Sequence, residues 1–298
     1  MVMEILNKIN YKGNAGVYFA LCFFLGLILL SCEKEANVDI PKTEPKPVLV
    51  CFLSPEDSFI TVRLTNSIPL YTGVSNQYPL EIKNAELRLS DGSSSIIIPW
   101  YKDSVGYRVS TSLFPIISGK TYTLEVSIPD GRRLKATTTV PNKNFPEVVI
   151  SVAREMTDSS EFGVFYDLTY ELSWLDPSGE DDFYRTLLTN LVVDTFVSAD
   201  TSSQLMLELF ESDKDKDNST FKVFGNSKLF YEPGTNNPLG DNVNLAYLIL
   251  SNEEYYLYHK DLYESNDRNP FSEAKINFSN IEGGIGCFAA YRMKRKRF

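Results

Sequence analysis

The sequence predicts a mainly β protein: an N-terminal immunoglobulin- or fibronectin-like β-sandwich, then a second β-rich domain with one helix. Two observations carry this. Apolar and polar residues alternate with a period of two in many short runs, the pattern of half-buried strands. A helical period and an N-terminal capping signal coincide at one place only, after Ser251.

The first domain is expected over residues 47–141. PVLVCFL (47–53) opens it, and FITVRLT (59–65) places Ile60, Val62 and Leu64 on one face. AELRLSDG (85–92) aligns Ala85, Leu87 and Leu89 and ends in an Asp-Gly turn. SIIIPWY and GYRVS follow, and TYTLEVSI (121–128) aligns Tyr122, Leu124, Val126 and Ile128. Pro129-Asp130-Gly131-Arg132 is a hairpin signal, because aspartate and glycine accept the backbone angles of a tight turn. RLKATTTV then offers Leu134, Ala136, Thr138 and Val140. Seven short strands at this spacing suit a sandwich, and Pro141-Asn142-Lys143 reads as its boundary.

The second domain is expected over 142–291. Its strands are EVVISVARE, VFYDLTYELSWL, FYRTLLTNLVV, FKVFG, KLFYEP and VNLAYLIL, separated by polar loops at 211–220 and 232–242. Ser251 with Glu254 reads as a capping box, and Tyr255, Tyr258 and Leu262 supply an apolar stripe for the helix. KINFSN and the glycine-rich IEGGIGCFAAY close the fold. Residues 292–298, with Arg292, Lys294, Arg295, Lys296 and Arg297, read as a solvated basic tail.

The N-terminus reads as an address. Lys8 and Lys12 precede an uncharged apolar run, Val17 to Leu30, which is long enough for a signal-peptide core and short for a membrane span of about 20 residues. It ends Leu29-Leu30-Ser31-Cys32, the form of a bacterial lipobox. Cys32 is therefore the expected lipidation site, since a thiol can carry a diacylglycerol as a stable thioether. Residues 1–31 would be the signal peptide. Residues 32–46, charged and proline-rich, would be a tether too polar to fold. The expected location is an outer membrane, lipid-anchored, with the acidic residues Glu33 and Glu35 favouring the cell surface.

The chain holds 39 acidic and 29 basic residues, a net charge of −10. An acidic body argues against nucleic acid as partner, which needs a basic face. Cys51 and Cys287 could pair in an oxidising compartment or remain buried thiols. There is no Cys-x-x-Cys pair, so no zinc site is expected.

Catalytic and ligand motifs mostly fail on inspection. Asp213, Asp215 and Asp217 imitate the start of a calcium loop, but Asn218 and Phe224 stand where the bend glycine and bidentate glutamate belong. Gly119-Lys120-Thr121 imitates a phosphate loop, but Phe114 replaces its first glycine and a strand follows. Gly283, Gly284 and Gly286 precede a strand, which suits a tight turn or bulge and not a dinucleotide site. His259, the sole histidine, reads as structural. Aromatic groups at Phe230-Tyr231 and at Tyr255, Tyr256 and Tyr258 suit core packing first and a glycan or peptide platform second. No catalytic residue, metal or cofactor is expected.

The segments LLSCEKEANVDIP, PKPVLVCFLSP, SGKTYTLEVSIPDGRRLKATTTVP, LDPSGEDDFYR and SNEEYYLYHKDLYESNDRNPFSEAKINFSNIEGGIGCFAAY together resemble an uncharacterised lipoprotein family of the Bacteroidota, domain of unknown function 4249. Cys51 departs from the acidic or aromatic residue such a chain would carry there. The resemblance implies an outer-membrane lipoprotein of two β-rich domains, encoded near TonB-dependent transporters, and brings no site residues. The expected role is a non-enzymatic accessory of such a transporter. The alternatives are a surface adhesin or structural envelope protein, and a glycan hydrolase built on two carboxylates.

Overall fold

The computed structural model describes residues 44–68, 81–102, 106–179, 181–193, 201–231, 243–265 and 278–298. Cys32, the apolar run before it and most of the tether lie outside them. The described chain from Glu44 onward forms one compact unit. No helix among the described residues is long and apolar enough to cross a membrane.

The fold is mainly β and sandwich-like. Fifteen strands run through the described residues: β1 (Pro47–Leu53), β2 (Phe59–Asn66), β3 (Glu86–Ser90), β4 (Ser95–Ile97), β5 (Trp100–Tyr101), β6 (Gly106–Ser110), β7 (Thr121–Ser127), β8 (Arg133–Thr139), β9 (Val149–Ser160), β10 (Gly163–Leu175), β11 (Phe183–Val193), β12 (Thr201–Ser212), β13 (Thr220–Tyr231), β14 (Val243–Ser251) and β15 (Ile285–Arg297). One described helix, α1 (Glu253–Ser265), lies between β14 and β15.

The alternation read from the sequence sets the faces. In β7, Tyr122, Leu124 and Val126 are buried and their neighbours are not, and β8 repeats this with Leu134, Ala136 and Thr138. The sheet β4-β3-β7-β8 packs these residues against Leu49, Cys51, Leu53, Ile60, Val62 and Leu64 of β1 and β2. A second core forms between β13-β10-β9 and the β11–β14 region. It is built from Leu168, Tyr170, Leu172, Trp174, Tyr184, Leu188, Phe221, Val223, Ala246, Leu248 and Leu250.

A single eight-stranded sheet, β12-β11-β14-β15-β1-β2-β6-β5, runs through both halves. Its junction is β15, antiparallel to β14 at one end and parallel to β1 at the other. Phe288 and Ala290 of β15 belong to the first core, although they come from the last part of the chain. The chain leaves the first sandwich near Pro141, then, but the sheet does not end there.

The glycines before β15 explain how it reaches β1. A Cβ on Gly286, at φ +120°, would sit 2.0 Å from the Leu49 carbonyl oxygen, and one on Gly283, at φ +79°, would sit 2.2 Å from that of Arg133. Only glycine permits such an approach at those angles. The basic ending departs from expectation. Residues 292–297 are strand, with Lys294 beside Leu248 and Lys296 beside Ala246. Period-two geometry and the free edge of β14 outweigh mutual repulsion there.

Helix α1 also corrects a detail. Its cap is Asn252, whose Oδ1 accepts from the Tyr255 N–H at 3.2 Å, whereas the Ser251 hydroxyl donates to the Phe183 carbonyl. The helix covers the outer face of the shared sheet, where Tyr255 packs with Ile249, Cys287 and Ala289.

Candidate functional site

Two polar loops meet at one end of the second sandwich. The first, Asp176 to Asp182, links β10 to β11, and the second, Asp213 to Ser219, links β12 to β13. Backbone hydrogen bonds lace them together: Asp176 N–H donates to the Ser219 carbonyl, and Asp213 N–H to that of Asp182. Asn218 takes a left-handed φ of 56°, a conformation asparagine tolerates, and its N–H donates to Asp176 Oδ2 at 3.2 Å. Asp217 Oδ1 accepts from the Gly179 N–H at 3.0 Å.

This lacing buries three carboxylates. Asp176, Asp213 and Asp182 are 0%, 2% and 3% exposed, and their oxygens lie within 4.8 Å of one another. Tyr184 donates to Asp176 Oδ1 at 2.7 Å, Lys143 pairs with Asp182 at 2.6 Å, and the Asp182 N–H donates to Asp213 Oδ1. Burial pushes the Asp182 carboxyl up to about 6 against the pull of Lys143, with the neighbouring carboxylates adding to the rise. Burial likewise raises Asp213, and burial with the carboxylates raises the Tyr184 phenol.

Buried charges need partners, and among the described residues one lysine, Lys143, faces the three carboxylates. The group can balance by keeping a proton or by ligating a hard cation. Its all-oxygen donors suit calcium or magnesium, not zinc. Of the three aspartates that imitate a calcium loop, Asp213 turns inward, while Asp215 and Asp217 are exposed. The sequence reading missed Asp176 and Asp182 as site residues. Their signal lies in LDPSGEDDFYR, an acidic turn between two strands, but that they meet Asp213 depends on sheet pairing. So deeply buried, these carboxylates cannot meet a glycosidic bond as they stand.

Other candidates fall into structural roles. Lys120 pairs with Asp91 at 2.8 Å in the turn before β7, which holds the Asp91 carboxyl well below its ordinary range. The His259 ring lies 4.2 Å from that of Tyr255 and 4.9 Å from Phe52. Burial, with the nearby Arg185 charge, pushes it down to about 3, so it stays neutral. Tyr255 and Tyr256 are buried, as packing predicts, and Arg185 donates to the Tyr255 hydroxyl at 2.7 Å. The side chains of Phe230 and Tyr231 lie outside the described residues. Cys51 and Cys287 are both free and buried. They stand on opposite faces of the shared sheet, Cys51 in the first core and Cys287 under α1, and burial pushes both thiols up.

Fold and site together define a mainly β, sandwich-like protein whose two cores share one sheet, with a buried carboxylate cluster at one end. The chain belongs to the family described as Domain of unknown function (DUF4249), whose model matches residues 33–297. No curated protein matches it significantly in sequence.

Proposed function

We propose that this chain is an outer-membrane lipoprotein of the Bacteroidota, acylated on Cys32, that serves a TonB-dependent transporter as a non-enzymatic accessory. The observation that carries the reading is the sequence around Cys32: an uncharged apolar run, Ser31-Cys32, and a proline-rich stretch that meets the first strand at Pro47. An anchor, a tether and a rigid β body are the parts of a membrane-held binding protein. The family resemblance implies a place beside TonB-dependent transporters. The β9–β10 hairpin offers exposed apolar side chains to such a partner: Val152, Met156 and Phe162 are 47%, 60% and 76% exposed.

Affinity purification of the tagged protein from gently solubilised outer membranes, read by mass spectrometry, tests the reading. One transporter at near-equal amount, lost on Met156→Lys with Phe162→Glu, is the expected result. Recovery of the lipoprotein alone, with uptake unchanged when its gene is deleted, would overturn it. The anchor has its own test: Cys32→Ala should abolish incorporation of labelled palmitate.

A further inference from the structure

The face of β15 that carries Phe288 and Ala290 into the first core continues past them to Arg292, Lys294 and Lys296. Strand geometry puts residues two apart on one side. The register sets Lys294 beside Leu248 and Lys296 beside Ala246, both residues of the second core. The sandwich is therefore cationic where an apolar strand would have closed it. Arg292 is satisfied by Glu56 at 2.6 Å and by the Phe145 ring. Among the described residues the Lys296 ammonium donates to the Val148 carbonyl, at 2.9 Å. The Lys294 ammonium has no ion pair or hydrogen bond among the described residues.

Between these lysines and the core lies a cavity of about 160 Å³, with Val148, Leu172, Ala246 and Leu248 in its lining. Those four residues are each less than a tenth exposed. The rim adds Glu147 to Lys294 and Lys296, which leaves the mouth net positive over an apolar floor. A dry cavity of about 150 Å³ accommodates a benzene-sized body, and an ammonium at the mouth adds a charge-assisted bond to a carboxylate. We propose that this crevice binds a small organic carboxylate with an apolar body of about six carbons, its carboxylate on Lys294 and Lys296 and its body on Leu172, Ala246 and Leu248. The requirement is double. An anion without a body leaves the floor empty, and a body without a charge leaves Lys294 unpaired.

Isothermal titration of the full-length protein in phosphatidylcholine nanodiscs tests this with three probes: benzoate, benzyl alcohol and acetate. Benzoate is expected to bind once per chain, at least about tenfold tighter than either control, a single charge-assisted interaction being a tenfold effect. Lys294→Met with Lys296→Met should weaken benzoate by about tenfold or more without lowering the thermal midpoint, because methionine keeps the apolar stems over the floor. Ala246→Leu should abolish binding by filling the cavity, the midpoint reporting that the fold survives. Benzyl alcohol or acetate binding as tightly as benzoate would overturn the proposal. So would the absence of saturable benzoate binding, or binding that the double lysine variant leaves unchanged.

Discussion

At the scale of single residues, the buried carboxylates make stability depend on pH in a stated direction. The folded Asp182 carboxyl titrates at about 6, above the ordinary value of about 3.9 for an unfolded aspartate, so the folded state holds the proton more tightly. Its stabilising effect is complete below pH about 4 and is lost as pH rises to about 6. Asp213 is shifted the same way. Urea midpoints measured from pH 4.5 to 8 should therefore fall across the lower half of that range and level off above it, provided other groups are held constant by difference with Asp182→Asn. That variant should flatten the fall, and a slope identical to the parent's would show that the cluster is not its source. Asn252 offers a second test. It caps α1, donates to the Thr138 hydroxyl at 2.7 Å and accepts from the Ala290 N–H. Asn252→Ala should cost about 1 kcal/mol for the cap and about as much again for the other bonds, read as a lower denaturation midpoint. The sequence pointed one residue early here, to Ser251, because Ser251 and Asn252 both fit a cap. Only the geometry of β14's end decides between them.

At the scale of elements, strands were legible wherever one face is buried. Ile60, Val62 and Leu64, or Tyr122, Leu124 and Val126, alternate because water lies on one side and core on the other. Strand β15 was legible only in part. IGCFAAY reads as strand, but Arg292 to Arg297 carries no apolar alternation, and its pairing with β14 depends on a neighbour from another part of the chain. The carboxylate cluster escaped for the same reason. Asp176, Asp182 and Asp213 are scattered in sequence and meet because β10–β11 and β12–β13 turn at the same end. The glycines before β15 were read as a tight turn or bulge, and the close approach of Gly286 to β1 was visible only once the strands were paired. Gly286→Ala would drive a Cβ into the Leu49 carbonyl at a backbone angle alanine avoids. It should separate β1 from β15 and cost more than about 3 kcal/mol, the range reserved for backbone strain combined with lost pairing. Hydrogen exchange should show protection lost first at Val48–Leu53. If protection there is retained, β15 does not hold β1 as described.

At the scale of the whole molecule, the shared sheet sets how the protein unfolds. A chain of two sandwiches joined only near Pro141 would lose one and keep the other. Here β15 supplies Phe288 and Ala290 to the first core, while its far end borders the second through β14. Neither half has a complete set of strands without it. Phe288→Ala should cost about 3–5 kcal/mol, the usual range for a fully buried aromatic. Because the sheet is continuous, that loss should be felt in both halves. Calorimetry of the parent should give one transition whose calorimetric and van't Hoff enthalpies agree. Phe288→Ala should move that transition down whole, without splitting it. An isolated piece spanning 44–141 should fail to show cooperative unfolding, since it lacks the strand that lies parallel to β1. Two separate transitions in the parent, or a folded 44–141 piece, would mean that β15 merely decorates the first sandwich. A single transition would mean that the end of the chain must be in place before its beginning is stable.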